Sequence, residues 1–246
     1  MFLRMTLLAA VLAGSVCTVT SAQTVDEVVN NYMNALGGKD KLAGIQSLYE
    51  EGVAVMQNGT EVTSKIWKVQ GKLYRREISF GAGNSTILVT DKQGWSSNPR
   101  NGGNFEALPA DALKSLQQEL DCVGPLADYA AKGHKAELLG REDLNGVSCF
   151  KIKLTLNNGQ DITYYIDPNT WYIVRQSFKG GMMGGRRPAG ANGSDTETKI
   201  DYSHYQKTSD GYVFAMTVAV VGMGASLNYE KVEVNKPVDA ALYQPK

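Results

Sequence analysis

The chain has 246 residues, and its 25 basic and 25 acidic side chains give a formal net charge of zero. This balance argues against a nucleic-acid partner, because proteins that bind phosphates usually carry a clustered positive surface. The doublets Arg75-Arg76 and Arg186-Arg187 are too isolated to form such a surface.

The N-terminus has the pattern of a secretory signal peptide. A positive charge at Arg4 precedes an apolar run from Leu7 to Val16, and small polar residues follow. The run is shorter than the ~20 residues that a membrane-spanning helix needs. We therefore predict a signal peptide at residues 1–22, cleavage near Ala22 and one periplasmic domain over residues 23–246. Lipid attachment at Cys17 is less favoured, because Val16 stands where a lipoprotein signal has a small residue.

The residues after Ala22 predict an amphipathic helix. Thr24 and Glu27 have the spacing of a capping box, and Gly37 and Gly38 end the pattern. The apolar residues recur at helical spacing, and they are Val25, Val28, Val29, Tyr32 and Leu36.

From about Leu48 the sequence predicts twelve short strands, rich in Val, Ile, Thr and aromatic residues. They begin near Leu48, Val62, Leu73, Thr86, Gly94, Ala136, Val147, Ile162, Trp171, Thr198, Val213 and Leu227. Tight turns such as Asn145-Gly146 join them, so neighbouring strands must pair antiparallel. So many strands in meander order exceed what a flat sheet usually carries, and we predict a barrel or part-barrel.

Two further helices are predicted to interrupt the strands. Leu113, Leu116 and Leu120 share one helical face, and residues 125–133 follow as a second short helix. With the first helix this makes about three helices. They must cover an open face of the sheet, because nothing else can bury their apolar sides.

Two cysteines lie in the predicted mature domain, Cys122 and Cys149. Export to an oxidising compartment allows a disulfide between them. The alternative is two buried thiols that act as small apolar side chains. No histidine is near enough in sequence to suggest a metal site.

The inner face of the sheet is strongly apolar in two regions. Phe150, Ile152 and Leu154 alternate with polar residues, and Tyr164 continues the apolar face on the next strand. Later in the chain Phe214, Met216, Val218 and Val220 share one face. Such rows either fill a solid core or line an apolar cavity, and the pattern alone leaves both open.

Three segments resemble a known family. They are "ALGGKDKLAGIQSL" after the first helix, "LLGREDLNGVSCFKIKLTLNNGQDITYYIDPNTWYIVR" in the middle and "KVEVNKPVDAALYQP" at the end. Together they resemble periplasmic outer-membrane lipoprotein-sorting proteins, the LolA-like group, and their Bacteroidetes-type relatives most. These motifs mark turns and strands and none is catalytic.

The resemblance implies a mainly β, α+β fold: an incomplete antiparallel β-barrel of about eleven strands, with about three short helices covering the open side. It implies a monomeric periplasmic chaperone that carries lipid or lipoprotein acyl chains towards the outer membrane. The partners would be the inner- and outer-membrane lipoprotein machinery, with no cofactor and no covalent step. The alternative is an envelope sensor or interaction module with the same fold and a filled core.

The residues expected at the cavity or its lid are aromatic and aliphatic. They are Trp67, Tyr74, Phe80, Leu113, Leu116, Leu120, Phe150, Ile152, Leu154, Tyr164, Met182, Met183, Phe214 and Met216. Proteobacterial carriers of this family hold the lid shut with an arginine on an early strand. Arg75 or Arg76 could be its equivalent, but the sequence favours solvated charges on the outer face.

The glycine-rich stretch from Lys179 to Gly193 connects two predicted strands and opens no helix. A phosphate-binding loop needs a helix N-terminus after it, so that interpretation fails. The strands on both sides continue one sheet, so it is not a domain linker. We expect an extended hairpin loop, either a surface loop or a flap that lays Met182 and Met183 across the cavity mouth.

Nothing in the sequence predicts an enzyme. The only histidines, His134 and His204, have no neighbouring residues that resemble a metal pair or a nucleophile elbow. We expect both to be structural or surface residues.

Overall fold

The computed structural model describes residues 23–81, 83–179 and 197–246. The predicted signal peptide, with Cys17 and the cleavage point near Ala22, lies outside the described residues. So do Met182 and Met183 and most of the glycine-rich stretch.

The described chain forms three α-helices and thirteen strands. The helices are α1 (Val25–Ala35), α2 (Lys39–Ala43) and α3 (Ala110–Leu116), and 3₁₀ turns cover Pro99–Asn101, Gln117–Leu120 and Ala240–Tyr243. The first strands are β1 (Ser47–Val55), β2 (Glu61–Val69), β3 (Leu73–Phe80), β4 (Gly83–Thr90), β5 (Gly94–Ser97) and β6 (Glu106–Ala107). The later strands are β7 (Lys135–Leu144), β8 (Val147–Thr155), β9 (Asp161–Ile166), β10 (Ile173–Lys179), β11 (Glu197–Lys207), β12 (Val213–Val220) and β13 (Ser226–Val234).

All thirteen described strands belong to one antiparallel sheet, in the order β6-β5-β4-β3-β2-β1-β13-β12-β11-β10-β9-β8-β7. The edge strands β6 and β7 do not pair with each other, so the barrel is open and the predicted fold class is confirmed. The expected number of about eleven strands is too low. Each of the twelve predicted positions holds a strand, and the missed one, β6, is too short to leave an alternating pattern.

The pairing of β1 with β13 joins two meanders in the middle of the sheet. Leu48 lies opposite Val234, and the register shifts at a bulge between Glu51 and Gly52. A Cβ at position 52 would clash with the backbone oxygen of Asn228. Glycine is therefore needed at this bulge.

The connection from β6 to β7 runs from one edge of the sheet to the other, and so crosses the open side. It contains α3 and the 3₁₀ turn Gln117–Leu120. Leu116 and Leu120 pack against Ile66, Tyr74 and Val89 of the sheet. We call residues 110–126 the lid.

The helix predicted at residues 125–133 is wrong, because this segment forms successive turns. Asp128 has a φ of 51°, in the left-handed region that interrupts a helix. Its carboxylate binds the ammonium group of Lys39 at 2.8 Å, which ties the turn to α2. The turns that follow close by hydrogen bonds between residues three apart, such as Lys132 N–H to the Tyr129 carbonyl.

Helix α1 fills one part of the concave face. The capping box between Thr24 and Glu27 is present, as predicted. Val28 and Val29 are fully buried in a cluster that includes Ile152 and Leu154 of β8. The sheet is therefore solidly packed where α1 lies against it.

Cys122 and Cys149 are free, buried thiols, so the structure has the buried-thiol alternative and not the disulfide. Cys122 belongs to the cluster on the inner side of the sheet, together with Ile152. On β8, Cys149 alternates with Ile152 and shares a face with Lys151, so its side chain points to the outer side of the sheet. The sheet therefore separates the two sulfur atoms. Burial raises the pKa of the Cys122 thiol to about 11.

Candidate ligand-binding cavity

A cavity of about 840 Å³ lies between the inner face of the sheet and the lid. This volume falls in the range of about 300–1,000 Å³ that is usual for small-molecule sites. Strands β1–β3 form one wall, β9–β13 form the other, and α3 with residues 118–126 lies across it. Tyr32 of α1 also lines the cavity. The cavity is thus placed beside the solid core under α1.

The cavity wall is mainly aliphatic and aromatic. The strands before the lid contribute Val62, Ile66 and Ile78, and those after it contribute Ile200, Val218 and Leu227. These residues share one phase of the strand alternation, which is the phase that faces the lid. The surface they form suits an apolar ligand.

Four of the residues predicted from the sequence line the cavity. They are Tyr74, Leu116, Tyr164 and Phe214. They come from β3, the lid, β9 and β12, so the fold brings together residues that are far apart in the chain.

The other predicted residues that the structure describes do not line the cavity. Leu113 and Leu120 belong to the lid and pack against the sheet, whereas Phe150, Ile152 and Leu154 belong to the solid core under α1. Trp67 has the opposite alternation from Ile66 and packs on Tyr49 of β1, with ring centroids 5.2 Å apart. Phe80 is exposed at the end of β3, and Met216 is half-buried and outside the cavity lining. Met182 and Met183 are outside the described residues.

A polar patch in the cavity was not foreseen from the sequence. It consists of Glu50, Ser64, Lys68 and Arg76 on the sheet, with Gln118 and Glu119 on the lid. The sequence does contain a signal for this patch, which is the position of its charged residues in the alternation of each strand. Lys68 follows Ile66 by two positions, and Arg76 follows Tyr74 by two, so each shares the inner face with a large apolar neighbour.

An ion pair ties the lid to the sheet within this patch. The ammonium nitrogen of Lys68 lies 3.0 Å from Oε2 of Glu119 and 5.4 Å from the ring centre of Tyr74. Only 14% of the Lys68 side chain is exposed. Burial lowers the pKa of Lys68, but Glu119, Glu50 and Tyr74 together outweigh burial, so the pKa is raised above its ordinary value.

Glu50 lies on the same inner face with no hydrogen bond to a described residue. Burial raises its pKa, and the positive charges of Lys68 and Arg76 oppose this only in part. The side chain is therefore more readily protonated than a carboxylate in water.

The arginine doublet is divided between the two faces of the sheet. Arg75 is only 6% exposed, donates to Glu77 at 2.7 Å and reaches the backbone carbonyls of Leu242 and Gln244. Arg76 faces the cavity and donates from Nε to Ser64 Oγ at 3.3 Å. The favoured interpretation, solvated charges on the outer face, is therefore wrong: Arg75 lies on that face but is buried, and Arg76 faces the cavity. The cation that pairs with the lid is Lys68.

The two histidines make ordinary polar contacts. His134 Nδ1 accepts a hydrogen bond from the Asn157 N–H at 3.1 Å, and His204 Nδ1 lies 3.1 Å from the Thr217 hydroxyl. In the described ranges no three His, Cys, Asp or Glu side chains are grouped as metal ligands would be. None of the described helices has the length and hydropathy that crossing a bilayer would require.

Three solved structures have a similar architecture. A DUF1329 family protein from Desulfovibrio piger is 12% identical, with a TM-score of 0.55 over 91% of this chain and 98% of its own. A LolA superfamily protein from Nitrosomonas europaea is 10% identical, with a TM-score of 0.55 over 91% and 99%. A putative outer membrane lipoprotein-sorting protein domain from Vibrio parahaemolyticus is 13% identical, with a TM-score of 0.50 over 89% and 95%. At such low sequence identities these similarities establish a shared fold and nothing more.

Comparison with models of protein families gave no match, and neither did comparison with curated proteins.

Proposed function

The chain has a LolA-like fold, and from this premise we propose that it is a carrier of acyl chains. It would hold the chains of a lipid or a lipoprotein in the cavity under the lid and transfer them towards the outer membrane. The observation that carries this proposal is the apolar cavity of about 840 Å³ on the concave face of the sheet.

The physical need for such a cavity is large. An acyl chain of about sixteen carbons exposed to water costs on the order of 10 kcal/mol, at about 0.8 kcal/mol per methylene. A carrier must remove this surface from water and must also release it. A lid built from a two-turn helix and a 3₁₀ turn suits both tasks, because it covers the cavity with few contacts and can open without unfolding the sheet.

The protein would act in the periplasm and would catalyse no reaction. The predicted signal peptide at residues 1–22 would export the protein to the periplasm, where residues 23–246 would act as one monomeric domain. Binding and release would need neither cofactor nor covalent step. The lipoprotein machinery of the two membranes would supply and receive the cargo.

Titration with a fluorescent fatty acid tests this function. We expect saturable binding at one site per protein, with displacement by unlabelled palmitate, because both would occupy the same cavity. Fluorescence that rises without saturation, or that palmitate does not reverse, would instead indicate nonspecific adsorption and would reject the carrier function.

A further inference from the structure

The polar patch is centred on Ile66, in the middle of the inner face of three adjacent strands. Ile66 lies directly opposite Glu50 on β1 and opposite Arg76 on β3. Ser64 and Lys68 lie two positions to either side on β2, with the same orientation. The patch is therefore a compact polar area with apolar wall around it.

The two cations of this patch differ in their partners. Lys68 is neutralised by Glu119 of the lid at 3.0 Å. Arg76 donates a hydrogen bond to the hydroxyl of Ser64 and also interacts with the hydroxyl of Tyr74, and no carboxylate of the described residues forms an ion pair with it. A guanidinium has five N–H donors, so several of those of Arg76 remain for a ligand.

Glu50 does not serve as a full counter-ion for Arg76. Ile66 lies between them in the register, so their strands are separated by β2. Arg76 is half-buried, so its charge is only partly solvated, and an anion that enters the cavity would provide the missing partner. Arginine is suited to carboxylate and phosphate groups, because its planar donors match their oxygen atoms in pairs.

The lid presents a second unused polar group to the cavity. Oε1 of Gln118 is buried and has no hydrogen-bond partner. Gln118 lines the same cavity, next to Glu119, whose carboxylate reaches Lys68. A buried acceptor without a donor is rare in folded proteins, and a hydroxyl or N–H elsewhere on the ligand would satisfy it, whereas an anionic oxygen would not.

We propose that Arg76, supported by Ser64, binds the anionic head group of the acyl-chain ligand. The group is a carboxylate or a phosphate, and the chain extends from it along the apolar wall. This inference rests on the proposed function and adds to it the chemical class of the cargo.

Three amphiphiles with the same chain length test the inference at neutral pH: dodecanoate and dodecyl phosphate below their critical micelle concentrations, and dodecanol below its solubility limit. We expect the protein to bind at least one of the two anions more tightly than dodecanol. Arg76→Gln should weaken binding of the preferred anion by about tenfold or more, because hydrogen bonds to charged groups are the stronger ones. Dodecanol should bind the variant as it binds the original protein. Comparison of the two anions identifies carboxylate or phosphate as the head group.

Arg100→Gln is the matched control, because it removes the same charge from an exposed 3₁₀ turn. It should leave all three affinities unchanged. Arg76→Lys keeps the charge without the paired donors, and we expect an intermediate affinity for the anion, which a merely structural role would not produce.

If Arg76→Gln changes no affinity, or lowers all three equally, the head-group site is overturned while the carrier function stands. If the original protein binds none of the three, the carrier function fails, and this inference fails with it.

Discussion

Val218→Trp should remove most of the affinity for acyl chains while leaving the protein folded. Val218 lies on the inner face of β12 and lines the cavity, so an indole at this position would occupy space meant for the ligand. If it excludes about three methylenes, at about 0.8 kcal/mol each, the affinity falls on the order of fiftyfold. Displacement of the fluorescent fatty acid measures the loss.

Ala219→Trp is the matched control for this variant. Ala219 is the next residue on β12 and has the opposite alternation, so the same indole would lie outside the cavity. It should change the affinity less than about twofold. Equal affinities of the two variants would show that the ligand does not occupy this cavity.

Leu154→Ala should lower the free energy of unfolding by about 2–5 kcal/mol, the usual cost of truncating a fully buried leucine. Leu154 is completely buried in the cluster under α1 and does not line the cavity. Urea denaturation measures the change, and the fatty-acid affinity of the folded variant should remain within about twofold of the original.

Leu139→Ala provides the control, because Leu139 on the edge strand β7 is 47% exposed. Its loss should change the free energy of unfolding by less than about 0.5 kcal/mol. A Leu154→Ala protein that is as stable as the control would mean that the core under α1 is loosely packed.

Val218→Trp and Leu154→Ala test two different parts of the concave face. Under α1 the face is a filled core, and beside it, under the lid, the face borders a cavity. The alternation along the strands assigns Leu154 and Val218 equally to the inner face. They differ because α1 packs on Leu154 and not on Val218, and no local sequence pattern shows where α1 packs. For this reason the alternation predicts Phe150, Ile152 and Leu154 in the cavity wall, whereas they lie in the core.

The strands and their fold class could be predicted because each strand carries its own signals. Alternation and turn residues are local, and twelve of the thirteen described strands were found in this way. The pairing of β1 with β13 joins the first and last strands of the described chain and has no local signal. The segment at 125–133 failed as a helix because the backbone of Asp128 is left-handed and the side chain is held by Lys39.

The polar patch could have been predicted in part. Lys68 and Arg76 share the phase of Ile66 and Tyr74, which marks them as inward-facing charges. Their partners could not be predicted, because Glu119 reaches Lys68 from a lid that crosses the sheet from edge to edge.

The alternative function, an envelope sensor or interaction module with a filled core, differs from the carrier in what it would hold. A sensor would need an exposed surface for a protein partner and no space for a ligand. The carrier needs the cavity to contain an acyl chain during its passage through water.

Native mass spectrometry of protein purified from a bacterial periplasm without detergent, followed by lipid extraction, tests the central claim most directly. The account predicts a co-purifying acylated molecule at about one per protein, bearing a carboxylate or a phosphate. A protein that is recovered empty and also takes up no fatty acid would contradict the account, and would direct attention to a protein partner.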